Sequence, residues 1–197
     1  MIIAIKEKDR VVVAYSNADS KCNLCEKDYV DEENVAIRYS KAGRLYACDS
    51  MNFASDKLLY DDSFIENESV NPKAIVREII PFIKHTLGEK KSESSKEDTW
   101  RNTLLICDGQ RVYDIDSKFG FTEIDDYVCH GYREDCLKSV LDATKDLSAE
   151  DRILQAVRFT SKLYKEDLFP IVITDTNTKQ IKNVYKGEKI DEYFDCI

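Results

Sequence analysis

The sequence has no long apolar run and no excess of basic residues. No segment approaches the roughly 20 consecutive apolar residues that a transmembrane helix needs, and the first residues lack the apolar stretch and cleavage site of a signal peptide. The formal net charge is −9 over 197 residues. Because affinity for phosphate depends on clustered Lys and Arg, this charge argues against a general binder of nucleic acid or anionic membranes. We expect a cytoplasmic protein that binds neither.

Metal-binding and disulfide motifs are equally sparse. The seven cysteines are an odd number without a secretory signal, so we expect free thiols. The only CxxC pair, Cys22 and Cys25, supplies half of the four ligands that a structural zinc site normally has. His85, His130 and Cys48 are too dispersed to complete such a site. We favour a polar loop for this segment and expect no cofactor.

The chain does contain enough apolar residues for one sizeable core. With 43% hydrophobic and 34% charged residues, we expect a single domain over 1–197. Runs of β-branched residues, interrupted by turn residues, predict hairpins. The predicted strand pairs are 2–6 with 11–15, 35–39 with 44–48, 103–107 with 111–115, and 169–174 with 181–185.

Two pairs of helices are predicted between these strands. Asn71 and Pro72 are typical of a helix start, and the apolar spacing continues to residue 88, with a kink expected at Pro81. Ser148 favours the start of another helix, with Asp151 as a capping-box partner. Further helical segments are predicted at 52–60 and 136–141. The charged, Ser-rich stretch at 89–99 predicts a flexible loop.

The order of these elements predicts the architecture. Two-strand and two-helix units alternate as ββ, αα, ββ, αα, ββ. Two antiparallel sheets stacked between helical layers would bury every apolar face. We therefore predict an α+β fold, a four-layer α-β-β-α sandwich, which exceeds the usual two or three layers.

This order resembles the proteasome-like N-terminal-nucleophile (Ntn) hydrolases, that is, proteasome β-subunits and the peptidase subunit of the bacterial ATP-dependent proteasome-like protease. The similar segments cover most of the chain: MIIAIKEKDRVVVAYS, RLYACDSMNFASDKLLY, VCHGYREDCLKSVL and LSAEDRILQAVRFTSKLYKEDLFPIVITDTN. In that family an N-terminal Thr hydroxyl attacks a peptide carbonyl, the α-amino group acts as base, and backbone amides stabilise the oxyanion. The resemblance also implies assembly into rings.

The chain departs from the family at each position that the resemblance assigns to the active site. Met1 and Ile2 offer no side-chain nucleophile. Ser16 replaces an aspartate, and Val35 lies where the family has a lysine. The glycine-rich oxyanion turn corresponds to residues 47–50, where Cys48 and Asp49 lie and no glycine is found. The family serine corresponds to Cys129, which precedes His130.

A relocated cysteine nucleophile is the alternative. The resemblance implies that Cys48 and Cys129 both approach the former cleft, and a Cys and a His can form a nucleophile–base pair. However, Cys129 and His130 are adjacent, and adjacent residues on a strand point to opposite faces.

Three hypotheses follow. The favoured one is a non-catalytic proteasome-like protein, a pseudoenzyme that serves as a scaffold, assembly or binding subunit through self-association or a protein partner. The second is a peptide or amide hydrolase with a relocated or unrecognised nucleophile. The third is a small-ligand or metal-binding module that uses Cys22 and Cys25.

Overall fold

The computed structural model describes residues 1–16, 37–49, 58–59, 61–66, 70–88, 103–131 and 133–187. Ten strands in these ranges form two antiparallel five-stranded sheets, with the orders β10-β9-β2-β1-β8 and β3-β4-β5-β6-β7. The strands are β1 (Ile2–Lys6), β2 (Val11–Tyr15), β3 (Ile37–Tyr39), β4 (Leu45–Cys48), β5 (Leu104–Asp108), β6 (Arg111–Ile115), β7 (Phe121–Ile124), β8 (Tyr127–His130), β9 (Ile171–Asp175) and β10 (Lys182–Val184).

The first sheet is buried on both faces, and its residues alternate between two apolar cores. Ile2 and Ala4 of β1 pack in the core that contains the second sheet. Ile3 and Ile5 pack in the core formed with the C-terminal helices. Because side chains on a strand alternate in direction, a strand covered on both sides has no polar face. This explains the unbroken apolar run at the start of the chain.

The second sheet is covered on its outer face by the first helical layer. This layer comprises α1 (Asp62–Ile65), α2 (Pro72–Ala74), a π-helical segment (Ile75–Ile79) and α3 (Ile80–Gly88). Asn71 caps its longer part as predicted, accepting the amides of Lys73 and Ala74 at 3.0 Å.

The predicted effect of Pro81 takes the form of a wider helical turn. The Ile80 amide bonds to the Ile75 carbonyl, five residues back, and the helix continues through Pro81 to Gly88. A proline ring clashes with the carbonyl four residues before it in a regular α-helix. The π-helical turn ends next to the proline, at the position where this clash would arise.

The second helical layer lies on the first sheet. It consists of α4 (Glu134–Ala143) and α5 (Ala149–Tyr164). Ser148 caps α5 by accepting the Asp151 amide at 3.2 Å, as predicted, and its hydroxyl donates to the Asp151 carboxylate at 2.8 Å. With the two sheets between two helical layers, the predicted α+β sandwich of four layers is confirmed.

Several sequence-based boundaries differ from the structure. The alternation predicted from the sequence omitted β7 and β8, two consecutive strands of different sheets: β7 pairs with β6, and β8 pairs with β1. The strands predicted to begin at 35 and 44 begin at Ile37 and Leu45. Within the predicted helix 52–60, only Leu58 and Leu59 are described, and both are helical. The predicted loop at 89–99 lies outside the described residues. None of the helices in the described ranges has the length and apolar character that a membrane span requires.

Candidate functional site

Met1 lies at the head of β1, where the resemblance places catalytic chemistry. Its ammonium donates to the Ser16 carbonyl at 2.9 Å and to the Asp49 carbonyl at 3.4 Å. The Ser16 amide donates to the Met1 carbonyl at 2.9 Å, so the β1–β2 pairing continues to this residue. The Met1 side chain is 2% exposed and packs in the helix-facing core. A buried thioether therefore lies at the head of β1.

Ser16 connects the end of β2 to the turn that follows α5. Its hydroxyl donates to the Leu168 carbonyl at 2.7 Å, and the Leu168 amide donates to the Ser161 hydroxyl at 3.3 Å. The Ser16 side chain is buried and carries no charge. It ties two elements together at the position where the resemblance implies an aspartate.

Asp49 follows β4 and faces the Met1 amine with acceptor atoms. Its carboxylate accepts the Thr103 amide at 3.0 Å. Burial raises the pKa of the Asp49 carboxyl, although the Thr103 amide, the Met1 ammonium and His130 all favour the charged form. An oxyanion hole requires donors that point at a developing negative charge. Asp49 presents a carbonyl and a carboxyl group, which accept hydrogen bonds where an oxyanion hole would need donors.

The structure does not bring the two candidate thiols together. Cys48 lies on the same face of β4 as Tyr46, two residues before it, and the Tyr46 ring contacts Phe64 of the first helical layer at 5.6 Å. Cys129 of β8 is opposite Ile3 and packs in the helix-facing core of the first sheet. The two thiols therefore point to the outer faces of different sheets. That both approach one cleft stays a prediction, and the Met1 ammonium is near enough to Cys129 to affect the pKa of its thiol.

The surroundings of Cys129 also disfavour the thiolate. Burial, with the nearby Glu134 carboxylate, raises the pKa of the Cys129 thiol to about 12, although Lys138 and the Met1 ammonium oppose the shift. Since the thiolate is the nucleophilic form, a buried thiol with this pKa is chemically inert near neutral pH.

His130 points away from Cys129, into the space between the sheets. It is opposite Ile2, and its Nε2 lies 2.8 Å from Asp114 Oδ2 on β6 of the other sheet. Its Nδ1 lies 3.6 Å from Glu134, which also pairs with Lys138. Burial lowers the pKa of His130, but the hydrogen bond and charge of Asp114, together with Glu134, outweigh it and raise the pKa above its usual range.

His130 is therefore paired with carboxylates and does not activate the neighbouring thiol. Sequence reasoning missed Asp114 as its partner. The available signal was a carboxylate at an inward position of a predicted strand, two residues after buried Val112. Leu168, the partner of the Ser16 hydroxyl, gave no sequence signal because it contributes only a backbone carbonyl.

The remaining candidates concern the lysine position and metal binding. Val35, Cys22 and Cys25 lie outside the described residues. In the ranges that the structure describes, no group of three or more His, Cys, Asp or Glu side chains is arranged to hold a metal ion.

Comparison by sequence gives no relative: no protein-family model and no curated protein matches the chain. Comparison of structures gives clear matches. BPH from Thiobacillus denitrificans in complex with epoxomicin has a TM-score of 0.61 and 16% identity, over 88% of this chain and 96% of that one. Anbu, an ancestral beta-subunit from Yersinia bercovieri, has a TM-score of 0.67 and 15% identity, over 98% and 89%. HslV from Trypanosoma brucei has a TM-score of 0.56 and 14% identity, over 88% and 97%.

These matches extend over most of each chain. The identities are low, so the likeness concerns the fold, and function has to be argued from the site. The chain has the proteasome-like Ntn-hydrolase fold.

Proposed function

We propose that this chain is a non-catalytic protein of the proteasome-like fold, a pseudoenzyme that acts as a scaffold, assembly or binding subunit. The observation that supports this most strongly is the buried Met1 side chain at the head of β1. A thioether has no proton to lose and does not form the acyl intermediate that a hydroxyl or thiol forms.

The groups around Met1 support the same proposal. Ser16 donates its hydroxyl to a backbone carbonyl, and Asp49 offers acceptors where an oxyanion would need donors. A nucleophile, a charged partner and oxyanion donors would all have to be restored for the family chemistry to proceed. The polar groups here instead hold β1, β2 and the turn after α5 together.

The hydrolase alternative needs a reactive cysteine. Cys129 lies on the opposite face of its strand from His130, and burial raises the pKa of its thiol to about 12. Cys48 is fully buried at the edge of the first helical layer. Neither position gives a substrate carbonyl access to sulfur. The metal-binding alternative rests on Cys22 and Cys25 alone, which is half of a typical zinc site.

The proposal extends to organisation and location. We place residues 1–197 in a single proteasome-like domain in the cytoplasm, acting through self-association or a protein partner. Static light scattering checks self-association directly, because each added copy contributes 22.8 kDa.

Two measurements on the full chain test the lack of catalysis. Fluorogenic peptides report hydrolysis, and we expect no turnover above a buffer control. Epoxomicin, which is bound in the Thiobacillus denitrificans BPH structure, serves as an electrophilic probe, and we expect an unchanged intact mass. Turnover that co-purifies with the chain, or an adduct mapped to Met1, Cys48 or Cys129, would overturn the proposal.

A further inference from the structure

The outer surface of α5 carries two neighbouring rows of side chains. Phe159 and Leu163, four residues apart, are 53% and 56% exposed. Beside them, Arg158 and Lys162 are also four residues apart, and Lys165 follows the last residue of the helix. Residues at these spacings lie on one face of a helix. An apolar row and a basic row therefore run side by side along the helix.

The basic row lines a groove with a volume of about 500 Å³. Phe169 and Lys186 also line this groove. The two carboxylates in the groove already have cationic partners, because Glu166 pairs with Arg133 at 3.1 Å and Asp167 pairs with Lys186 at 3.3 Å.

The α5 lysines are not neutralised within the described parts of the chain. Neither Lys162 nor Lys165 makes an ion pair there. A chain with a net charge of −9 thus has a local excess of positive charge next to exposed apolar surface.

The combination of rows indicates the chemistry of the occupant. Exposed apolar residues grouped together typically mark a contact surface, and a basic row beside them favours carboxylates in the partner. A long nucleic acid fits poorly, because it would extend beyond this local patch over a chain whose net charge is −9. Helical spacing in both rows suits a segment that lies along α5 and presents its own side chains at matching intervals.

We propose that this surface of α5 binds a partner protein through an acidic amphipathic segment. Asp or Glu side chains of the segment contact Lys162 and Lys165, and its aliphatic or aromatic side chains cover Phe159 and Leu163. This inference rests on the proposed function, since it names the surface and the partner chemistry through which a non-catalytic scaffold would act.

The test measures binding of a fluorescein-labelled helical peptide to the full chain by anisotropy. The peptide carries Glu in one row and Leu and Phe in the adjacent row, and a matched peptide has Lys in place of Glu. We expect saturable binding of the acidic peptide, at least tenfold tighter than that of the basic one. Affinity should fall as salt rises, because exposed charges are screened.

Variants separate the two rows. The double variant Lys162→Glu/Lys165→Glu should weaken binding at least tenfold, and Phe159→Ser/Leu163→Ser should do the same. Lys73→Glu, at an exposed lysine of the other helical layer, is the matched control and should bind like the unaltered chain. Thermal melts confirm that each variant is folded.

Four results would overturn the inference: no saturable binding, equal affinity for both peptides, no response to charge reversal on α5, or loss of self-association in the charge-reversed variant. The last result would make a second copy the occupant. Failure of the proposed function is distinguishable, because hydrolysis or an epoxomicin adduct is measured without the peptide.

Discussion

His130 forms a charged connection between the two sheets, and its removal should change how stability depends on pH. The imidazole on β8 bonds to Asp114 on β6 at 2.8 Å, with Glu134 at 3.6 Å. Both bonded side chains are largely buried, at 19% and 14% exposure. Two other charged groups interact with His130. Lys138 lowers the pKa of His130, and His130 in turn lowers the pKa of Asp49. The perturbation is His130→Gln, which keeps a neutral donor and removes the positive charge.

The expected loss follows from the strength of a charge-assisted hydrogen bond. Such a bond contributes about 1.5–3 kcal/mol. Asp114 and Glu134 raise the pKa of His130. The stabilisation is therefore fully present below the unfolded imidazole pKa of about 6.5, and it is lost as pH rises through the raised folded-state pKa. At pH 6 the variant should melt about 3–12 °C lower, given about 2–4 °C per kcal/mol for a chain of this size.

The assay is urea unfolding of the full chain and the variant from pH 6 to pH 9. The difference in unfolding free energy should shrink with rising pH to about 1 kcal/mol or less, because neutral imidazole and the Gln amide can each make a neutral hydrogen bond to Asp114. The chain has two histidines, and His85→Gln, at an exposed position of α3, is the matched control, which should change the curve less than His130→Gln. Parallel curves for the His130 variant and the unaltered chain would refute the reasoning.

Two further predictions concern the groups around Met1. Cys129 should resist iodoacetamide at pH 8 in the folded chain and react after unfolding, whereas the partly exposed Cys136 should react before Cys129. Peptide mass mapping checks the order of labelling, and fast labelling of Cys129 would contradict its burial. Ser16→Ala should lower the unfolding free energy by about 1–2 kcal/mol, because the buried Leu168 carbonyl loses its donor. Ser139→Ala, which removes an exposed intrahelical hydrogen bond, should lower the unfolding free energy less in the same urea assay. Equal losses for the two variants would contradict a stabilising role of the Ser16–Leu168 hydrogen bond.

Local chemistry made much of the fold predictable from the sequence. The Asp108-Gly109 turn, with a positive φ of 62° at Gly109, and the Asn71 and Ser148 caps act over a few residues. Long β-branched runs such as β1 and β2 are predictable as strands for the same reason, because their signal is local. The strands β7 and β8 were missed because their sequence is short and acidic, and because β8 is held by pairing with β1, more than 100 residues earlier.

The site was predictable only as a set of missing groups. A sequence shows that Met1 and Ser16 are not the family residues, because that requires matching positions alone. It does not show what replaces the chemistry. The Ser16 hydroxyl bonds to a carbonyl 152 residues away, and His130 meets Asp114 only when the two sheets stack. Such tertiary pairings have no local signature.

The central claim is that the head of β1 carries no nucleophile. Intact-mass spectrometry of the full chain before and after incubation with epoxomicin, with mapping of the N-terminal peptide, tests it most directly. The account predicts a mass that does not change and an N-terminal peptide that begins with unmodified Met1. A mass increase of one inhibitor per chain, located at the N-terminal residue, would contradict it.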